Sequence, residues 1–214
     1  FLIRFAPGDP VAIIAGEDAT AEAIAQVRAK LGLDRPFLEQ FAIWIMQMAH
    51  GDLGVSIFSN LPVTRLIAQR VEPTLALTLS TLFVAVALAI PIGVVAAWKA
   101  RKLVDRLVMA FAVMGFAMPV FVLAYILIYF FAVQWQLLPV QGYRPIAEGF
   151  WPFVESLILP SVALGVTYMA LIARITRTSM LEVLAQDYIR TANAKGLATD
   201  RVLLLHALKN AAVP

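Results

Sequence analysis

Two histidines, His50 and His206, are the only imidazoles in the chain, and they stand far apart in sequence. There is no cysteine. Disulfides, thiolate metal sites and cysteine nucleophiles are therefore excluded, and each histidine reads as a polar surface or interface residue rather than a ligand. No Gly-x4-Gly-Lys-Ser/Thr run occurs, so the chain lacks the loop that cradles nucleotide phosphates. Neither a metal nor a cofactor is expected. The residues with the most to say lie between Asp187 and Leu197, where the work on offer is mechanical. Thr178 or Ser179 can cap a helix that runs to Lys195, with Leu181, Leu184, Ala185, Tyr188 and Ala192 on one face. Gly196 stands where a left-handed C-terminal residue is wanted. Thr199 then caps a second helix, with Asp200 at its start. Ala192, Ala194 and Gly196 keep the elbow narrow, which suits insertion into a cleft on another protein. Three readings compete: an amphipathic helix lying in the membrane interface, a helix-turn-helix for DNA, and a coupling elbow for a cytoplasmic motor. The position directly against a membrane span argues against DNA, and no nucleic acid partner is expected.

That span is one of several. The chain is 61% hydrophobic and 14% charged, against about 45–50% and about 25% in soluble domains. So apolar a chain needs the lipid bilayer as its solvent. Three stretches carry no charge: between Glu72 and Lys99, between Arg106 and Arg144, and between Glu155 and Arg174. They predict spans at about 74–98, 107–133 and 156–173, each near the roughly 17–25 residues that cross a bilayer. None shows the polar face of a soluble amphipathic helix. The spans hold no Asp, Glu, Lys, Arg or His, which argues against an ion-driven pump in this part of the chain. Pro91 with Gly93, Pro119, Pro160 and Gly165 fall inside them and read as packing devices or as kinks lining a pathway.

Charge gives the orientation. Residues 1–73 carry net −2, 99–106 net +3, 134–155 net −1 and 174–214 net +3. Excess Lys/Arg marks short cytoplasmic loops. Residues 99–106 and 174–214 therefore face the cytoplasm, while 1–73 and 134–155 face outside. Trp98, Trp135 and Trp151 sit at segment edges, as interfacial aromatics do. Residues 1–73 read as an extracytoplasmic helical segment that caps the bundle. Asp18 or Thr20 caps a first helix, with Glu22 in its first turn, Ile24, Val27 and Leu31 on one face and Gly32 at its end. Pro36 opens a second helix bearing Phe37, Phe41, Trp44, Ile45 and Met48. His50 to Gly54 is a turn, and Pro62 to Glu72 is a third amphipathic stretch. The fold class expected is all-α, a polytopic transmembrane helix bundle.

The run Asp187-Tyr188-Ile189-Arg190-Thr191-Ala192-Asn193-Ala194-Lys195-Gly196-Leu197 is followed by His206 to Ala211 and Pro214. Together these closely resemble the cytoplasmic loop of dipeptide/oligopeptide/nickel ABC importer permeases. Pro7-Gly8-Asp9-Pro10, Leu31-Gly32-Leu33-Asp34 with Pro36, Gly51-Asp52-Leu53-Gly54 with Ser56, Pro119-Val120-Phe121, and Arg174 to Met180 resemble the same family, in order along nearly the whole chain. Arg190-Thr191-Ala192 stands where the broader importer signature has Glu-Ala-Ala. Pro214 lies further from Gly196 than in that signature. Both departures look like the peptide-permease branch.

The resemblance implies a multi-pass permease subunit of a bacterial inner-membrane importer of di- and oligopeptides. Residues 74–214 would form an ABC transporter transmembrane domain with a cytoplasmic coupling loop at 174–214. The chain starts at Phe1 and stops at Pro214, and is expected to hold spans two to four of a six-span permease. The partners implied are a second homologous permease, two cytoplasmic ATPase subunits and an extracytoplasmic substrate-binding protein. ATP hydrolysis then belongs to the ATPase partners, and this chain is not an enzyme. The residues implied to couple to an ATPase are Tyr188, Arg190, Thr191, Ala192, Ala194, Lys195, Gly196 and Leu197. Phe116, Pro119, Phe121 and Tyr125 are the candidates for lining the substrate path. The rival within the family is a nickel or glutathione importer, and the rival outside it is a membrane anchor that does not transport.

Overall fold

The computed structural model describes residues 20–30, 34–56 and 59–212. The Pro7–Pro10 turn, Asp18, Leu31, Gly32, Leu33 and Pro214 lie outside the described residues, as do the side chains of Val27 and Phe37. The chain divides into two units, Phe1–Val71 and Glu72–Pro214. Among the described residues the regular structure is helical, with one isolated antiparallel bridge between Val55 and Pro62.

In the first unit, α1 spans Ala21–Lys30 with Glu22 in its first turn. The Thr20 carbonyl accepts the Ile24 N–H at 3.1 Å. Helix α2 spans Phe37–Ala49. Pro36 lies just before α2 rather than in its first turn, because its ψ of 144° is extended. Its carbonyl still accepts the Glu39 and Gln40 N–H groups. The expected turn after α2 forms: Gly51 and Gly54 take φ of 80° and 79°, and the Asp52 carboxylate accepts the Gly54 N–H at 2.8 Å. Left-handed backbone is cheap only for glycine, which explains the residue type at both positions. Helix α3 spans Val63–Trp98, belongs to the second unit from Glu72 onward, and runs through Pro73 and Pro91. The stretch Pro62 to Glu72 is thus not a separate element, since the residues after Pro62 already belong to the helix that carries the first apolar run.

In the second unit, α4 spans Leu103–Ala117 and α5 spans Val120–Leu127, continuing as a π-helical turn over Ile128–Gln134. The apolar run 107–133 is therefore not one straight rod: the two helices meet at 102°. The cause is local. A residue before proline is pushed out of the helical region, and Met118 takes ψ 127°. Pro119 has no N–H with which to continue the ladder, and its carbonyl instead starts α5 by accepting Val122 and Leu123. After a short 3-10 turn at Ile146–Glu148 comes α6, Phe150–Leu184. Next is α7, Asp187–Ala194. The last helix, α8, is built of three consecutive pieces, Thr199–Arg201, a π-helical Val202–Leu208, and Lys209–Ala211. Helices α3 and α6 are each long and apolar enough to cross a membrane, and the bent α4–α5 pair makes a third span if taken as one.

Helix α6 is the hub, packing on α3, α4 and α5 and on the C-terminal helices. Its contact with α3 is made by small residues: Gly93 of α3 lies against Ala173 and Thr176, and Gly165 of α6 lies against Val84 and the buried Ala85. Lipid supplies no hydrophobic force to press helices together, so close backbone approach has to be earned by small side chains and by hydrogen bonds. One such bond joins Ser80 Oγ and the buried Ser161 Oγ at 2.7 Å; with the Ser80 proton given to the Ala76 carbonyl at 2.7 Å, Ser80 accepts from Ser161. The hairpin brings the net-positive segments to one end. Lys99 to Arg106 lies beside the end of α6, α7 and α8. At the opposite end Glu72 lies beside 143–146.

Candidate functional site

At the basic end, α6 does not stop where its apolar run stops. Arg174 to Leu184 continue the helix, and Thr178 and Ser179 are interior residues rather than caps. Thr178 Oγ donates back to the Arg174 carbonyl at 3.1 Å, the usual habit of threonine inside a helix. The break comes at Ala185 and Gln186, where ψ switches from −9° to 150°. Helix α7 follows.

The end of α7 is the best-defined feature of the site. Gly196 has φ +75°. Its N–H donates to the Asn193 carbonyl at 2.9 Å, and the Leu197 N–H donates to the Ala192 carbonyl at 3.3 Å. This is the paired pattern of a Schellman motif, closed by its usual apolar contact because Leu197 packs in the cluster that contains Ala192. The next helix begins at Thr199, but Ala198 holds the capping position, and the Val202 N–H donates to its carbonyl. Thr199 is the first helical residue and does not cap.

The elbow is seated rather than loose. Ile189 and Ala192 are buried with Val94 and Ala97 of α3, Met180 of α6, and Val202, Leu203, Ala207 and Ala211 of α8. The opposite side presents Tyr188, Arg190, Thr191, Ala194, Lys195 and Gly196 to the outside. The Arg190–Asp187 ion pair, at 3.5 Å, is fully exposed and holds little. The sequence reading put Tyr188 on the apolar face together with Leu181 and Leu184. The break at Gln186 resets the helical phase, and Ile189 takes that place.

The four candidate path residues gather at the other end of α4. Phe116, Pro119, Phe121 and Tyr125 flank the 102° bend and are exposed in the single chain. With 15 residues in α4, the bend lies roughly 22 Å from the start of that helix at 1.5 Å per residue. The structure does not bring the elbow and the path residues together.

The sequence reading missed an ion pair beside the elbow. Asp105, in the first turn of α4, is 4% exposed. Arg177 of α6 grips it with two hydrogen bonds, Nε to Oδ1 at 2.6 Å and Nη2 to Oδ2 at 2.8 Å. The Arg101 N–H adds a third to Oδ2 at 2.9 Å. Arg101 sits in the tight α3–α4 turn with φ 65°, so the left-handed backbone of that turn aims an amide at the same carboxylate. A signal for the pair was present: Arg177 falls on the stripe Ala163, Ala170, Ala173 and Met180, the buried face of α6.

At the acidic end, Glu72 Oε1 accepts the Tyr143 O–H at 2.9 Å and the Ile146 N–H at 3.0 Å. This ties the loop before α6 to α3, beside a cavity of about 330 Å³ walled by apolar side chains such as Leu77, Ile128, Val140 and Pro160. Burial, then the hydrogen bond and charge of Glu72, push the Tyr143 phenol up to about 12. In an unfolded chain the phenol ionises near 10. The stabilisation is therefore complete below about pH 10 and lost as pH rises from there to about 12. The phenolate absorbance of the parent chain minus that of Tyr143→Phe is expected to titrate near 12. A midpoint near 10 would show that the latch does not form.

Comparison with known proteins gives the family. Residues 89–214 match the family described as Binding-protein-dependent transport system inner membrane component. Residues 1–78 match the N-terminal part of the membrane component of such systems. A probable peptide ABC transporter permease of Sinorhizobium fredii is 50% identical over 213 residues, covering 100% of this chain and 68% of the relative. A dipeptide transport system permease of Escherichia coli is 39% identical, covering 99% of this chain and 70% of the relative. A glutathione transport system permease of Escherichia coli is 42% identical, covering 99% and 67%. With its apolar helices and this match over most of its length, the chain belongs to the family of inner membrane components of binding-protein-dependent transport systems.

Proposed function

We propose that the chain is the permease subunit of an ATP-driven importer of di- and oligopeptides. It works with a second homologous permease, two cytoplasmic ATPase subunits and an extracytoplasmic substrate-binding protein. The reading that the basic end faces the cytoplasm rests on the excess of Lys/Arg there. The observation that carries the function is the elbow. A short helix is locked at its end by a Schellman turn and anchored from beneath by Ile189 and Ala192. It shows Tyr188, Arg190, Thr191, Ala194, Lys195 and Gly196 outward. A rigid knob on a long helix suits docking in a cleft of an ATPase subunit. Closure of the ATPases then moves the knob, and α3 and α6 move with it, rocking the subunit between outward-open and inward-open states. No reacting group is needed in this chain for that work.

Glutathione is the second reading, favoured by the 42% identical relative named for it. Reconstitution of the complete transporter in proteoliposomes separates the alternatives. ATP-dependent uptake of labelled dialanine is expected. Uptake of labelled glutathione or of nickel, and not of dialanine, would move the assignment within the family. No ATP-dependent uptake of any of them would favour a membrane anchor.

Gly196→Val tests the elbow itself. Within this chain an added Cβ meets nothing, so the damage to the fold is confined to the backbone at φ +75°, about 1–3 kcal/mol for a β-branched residue held there. The variant is expected to insert and assemble while its uptake falls by about tenfold or more. Parental uptake would refute the coupling role.

A further inference from the structure

Apolar seams between helices in lipid are held by van der Waals packing, which is less directional than a hydrogen bond. The seam between α4 and α6 is of this kind. Ala112 is buried, and a Cβ built on Gly115 meets the Val166 side chain at 3.1 Å and the Val166 carbonyl oxygen at 3.8 Å. The Asp105–Arg177 pair is different. A guanidinium fork on a carboxylate is planar and directional, and tolerates neither a turn of the helix nor a slide along it. It sits at the start of α4 and one turn from Met180, whose fully buried side chain lies beneath the elbow. The same carboxylate takes the Arg101 N–H, so the α3–α4 turn is tied to the same point.

We propose that Asp105 and Arg177 form a register lock that makes α4 follow the elbow, and so carries its displacement to the bend at Pro119. This rests on the reading of α7 as the ATPase-docking element. Arg177 and Asp105 are positioning residues in this scheme: they touch neither substrate nor nucleotide, and act through the helices they align. Without the lock the ATPases still close on the elbow, but α4 slips against α6 and part of the stroke is lost.

The test needs variants that keep the fold, because removing one charge strands the other. Asp105→Leu combined with Arg177→Met removes both charges and frees only the Arg101 N–H, at an exposed residue that water can reach, so the change is often neutral for stability. The full transporter is reconstituted with Tyr188→Cys as a cross-linking probe in the cysteine-free chain. Assembly, cross-linking to the ATPase subunit, ATP hydrolysis and labelled dialanine uptake are then measured together. The double variant is expected to assemble, cross-link and hydrolyse ATP as the parent does, while uptake per ATP hydrolysed falls by about tenfold, within the range of ordinary coupling energies. Arg177→Lys keeps the charge but loses the fork, and an intermediate ratio is expected. A parental ratio in either variant would overturn the lock and leave docking intact. Failure of the parent to cross-link would overturn the docking reading and the lock with it.

Discussion

Arg177→Met lowers the stability of the folded permease by about 3 kcal/mol, the expected cost of leaving one member of a buried pair without its partner. Its carboxylate partner decides the size. Asp105 is 4% exposed, and without the guanidinium it keeps the Arg101 N–H as its hydrogen-bond donor, with the Arg106 charge nearby. Asp105→Ala is expected to be milder, because the Arg177 side chain is 25% exposed and its head can reach water. The double replacement by Leu and Met is expected to recover most of the loss. Thermal unfolding of all the variants in one detergent measures the order: Arg177→Met worst, Asp105→Ala next, the double variant nearest the parent. A double variant as unstable as Arg177→Met would mean that the pair is not where the energy lies.

Gly93→Val is expected to be as damaging by a different route. A Cβ on Gly93 would lie 2.7 Å from Thr176 Cβ and 2.8 Å from the Ala173 carbonyl oxygen. The second of these is backbone and cannot rotate away, so α3 and α6 must separate. Overpacking typically costs about 1–3 kcal/mol, and this contact belongs at the upper end. The clash falls on the seam beside the elbow socket formed by Val94, Ala97 and Met180, so little assembled transporter should be recovered. Gly115→Ala is the matched control: the nearest neighbour of its added Cβ is a side-chain methyl of Val166 at 3.1 Å, and a shift of a few tenths of an ångström relieves it. Equal yields for Gly93→Val and Gly115→Ala by fluorescence-detected size exclusion would contradict the small-residue seam.

How much of this could be read beforehand depended on the physics involved. The spans were legible because an uncharged apolar run has one main use in a chain this hydrophobic, and α3 and α6 contain the runs 74–98 and 156–173. Gly196 was legible because a glycine after a helical run marks a left-handed residue, and φ +75° is what it takes. Helix phase was not. Nothing in Thr178 and Ser179 says that they are interior, since both residue types also cap, and the choice was made by the packing of Met180 in the socket below. The break at Gln186 then turned Tyr188 outward and Ile189 inward. The Asp105–Arg177 pair was hidden for another reason. Counting charges by loop treats Asp105 as a small correction to a basic segment, whereas in space it is the point to which three donors converge. Pairing across 72 residues is a tertiary fact. The bend at Met118 and Pro119 lay between the two: the proline was visible, but an apolar run of that length with a proline in it can be a kinked span or a broken one.

The most direct measurement is cross-linking from the exposed side of α7. In the assembled transporter, Tyr188→Cys treated with a short bifunctional thiol- and amine-reactive reagent is expected to give one adduct, between the permease and an ATPase subunit. Its yield should change when nucleotide closes the ATPases. The same reagent on Leu82→Cys, an exposed position in the middle of the first apolar run, should give no such adduct. Coupling through the elbow would be contradicted if Tyr188→Cys gave no ATPase adduct in a transporter that hydrolyses ATP and takes up substrate.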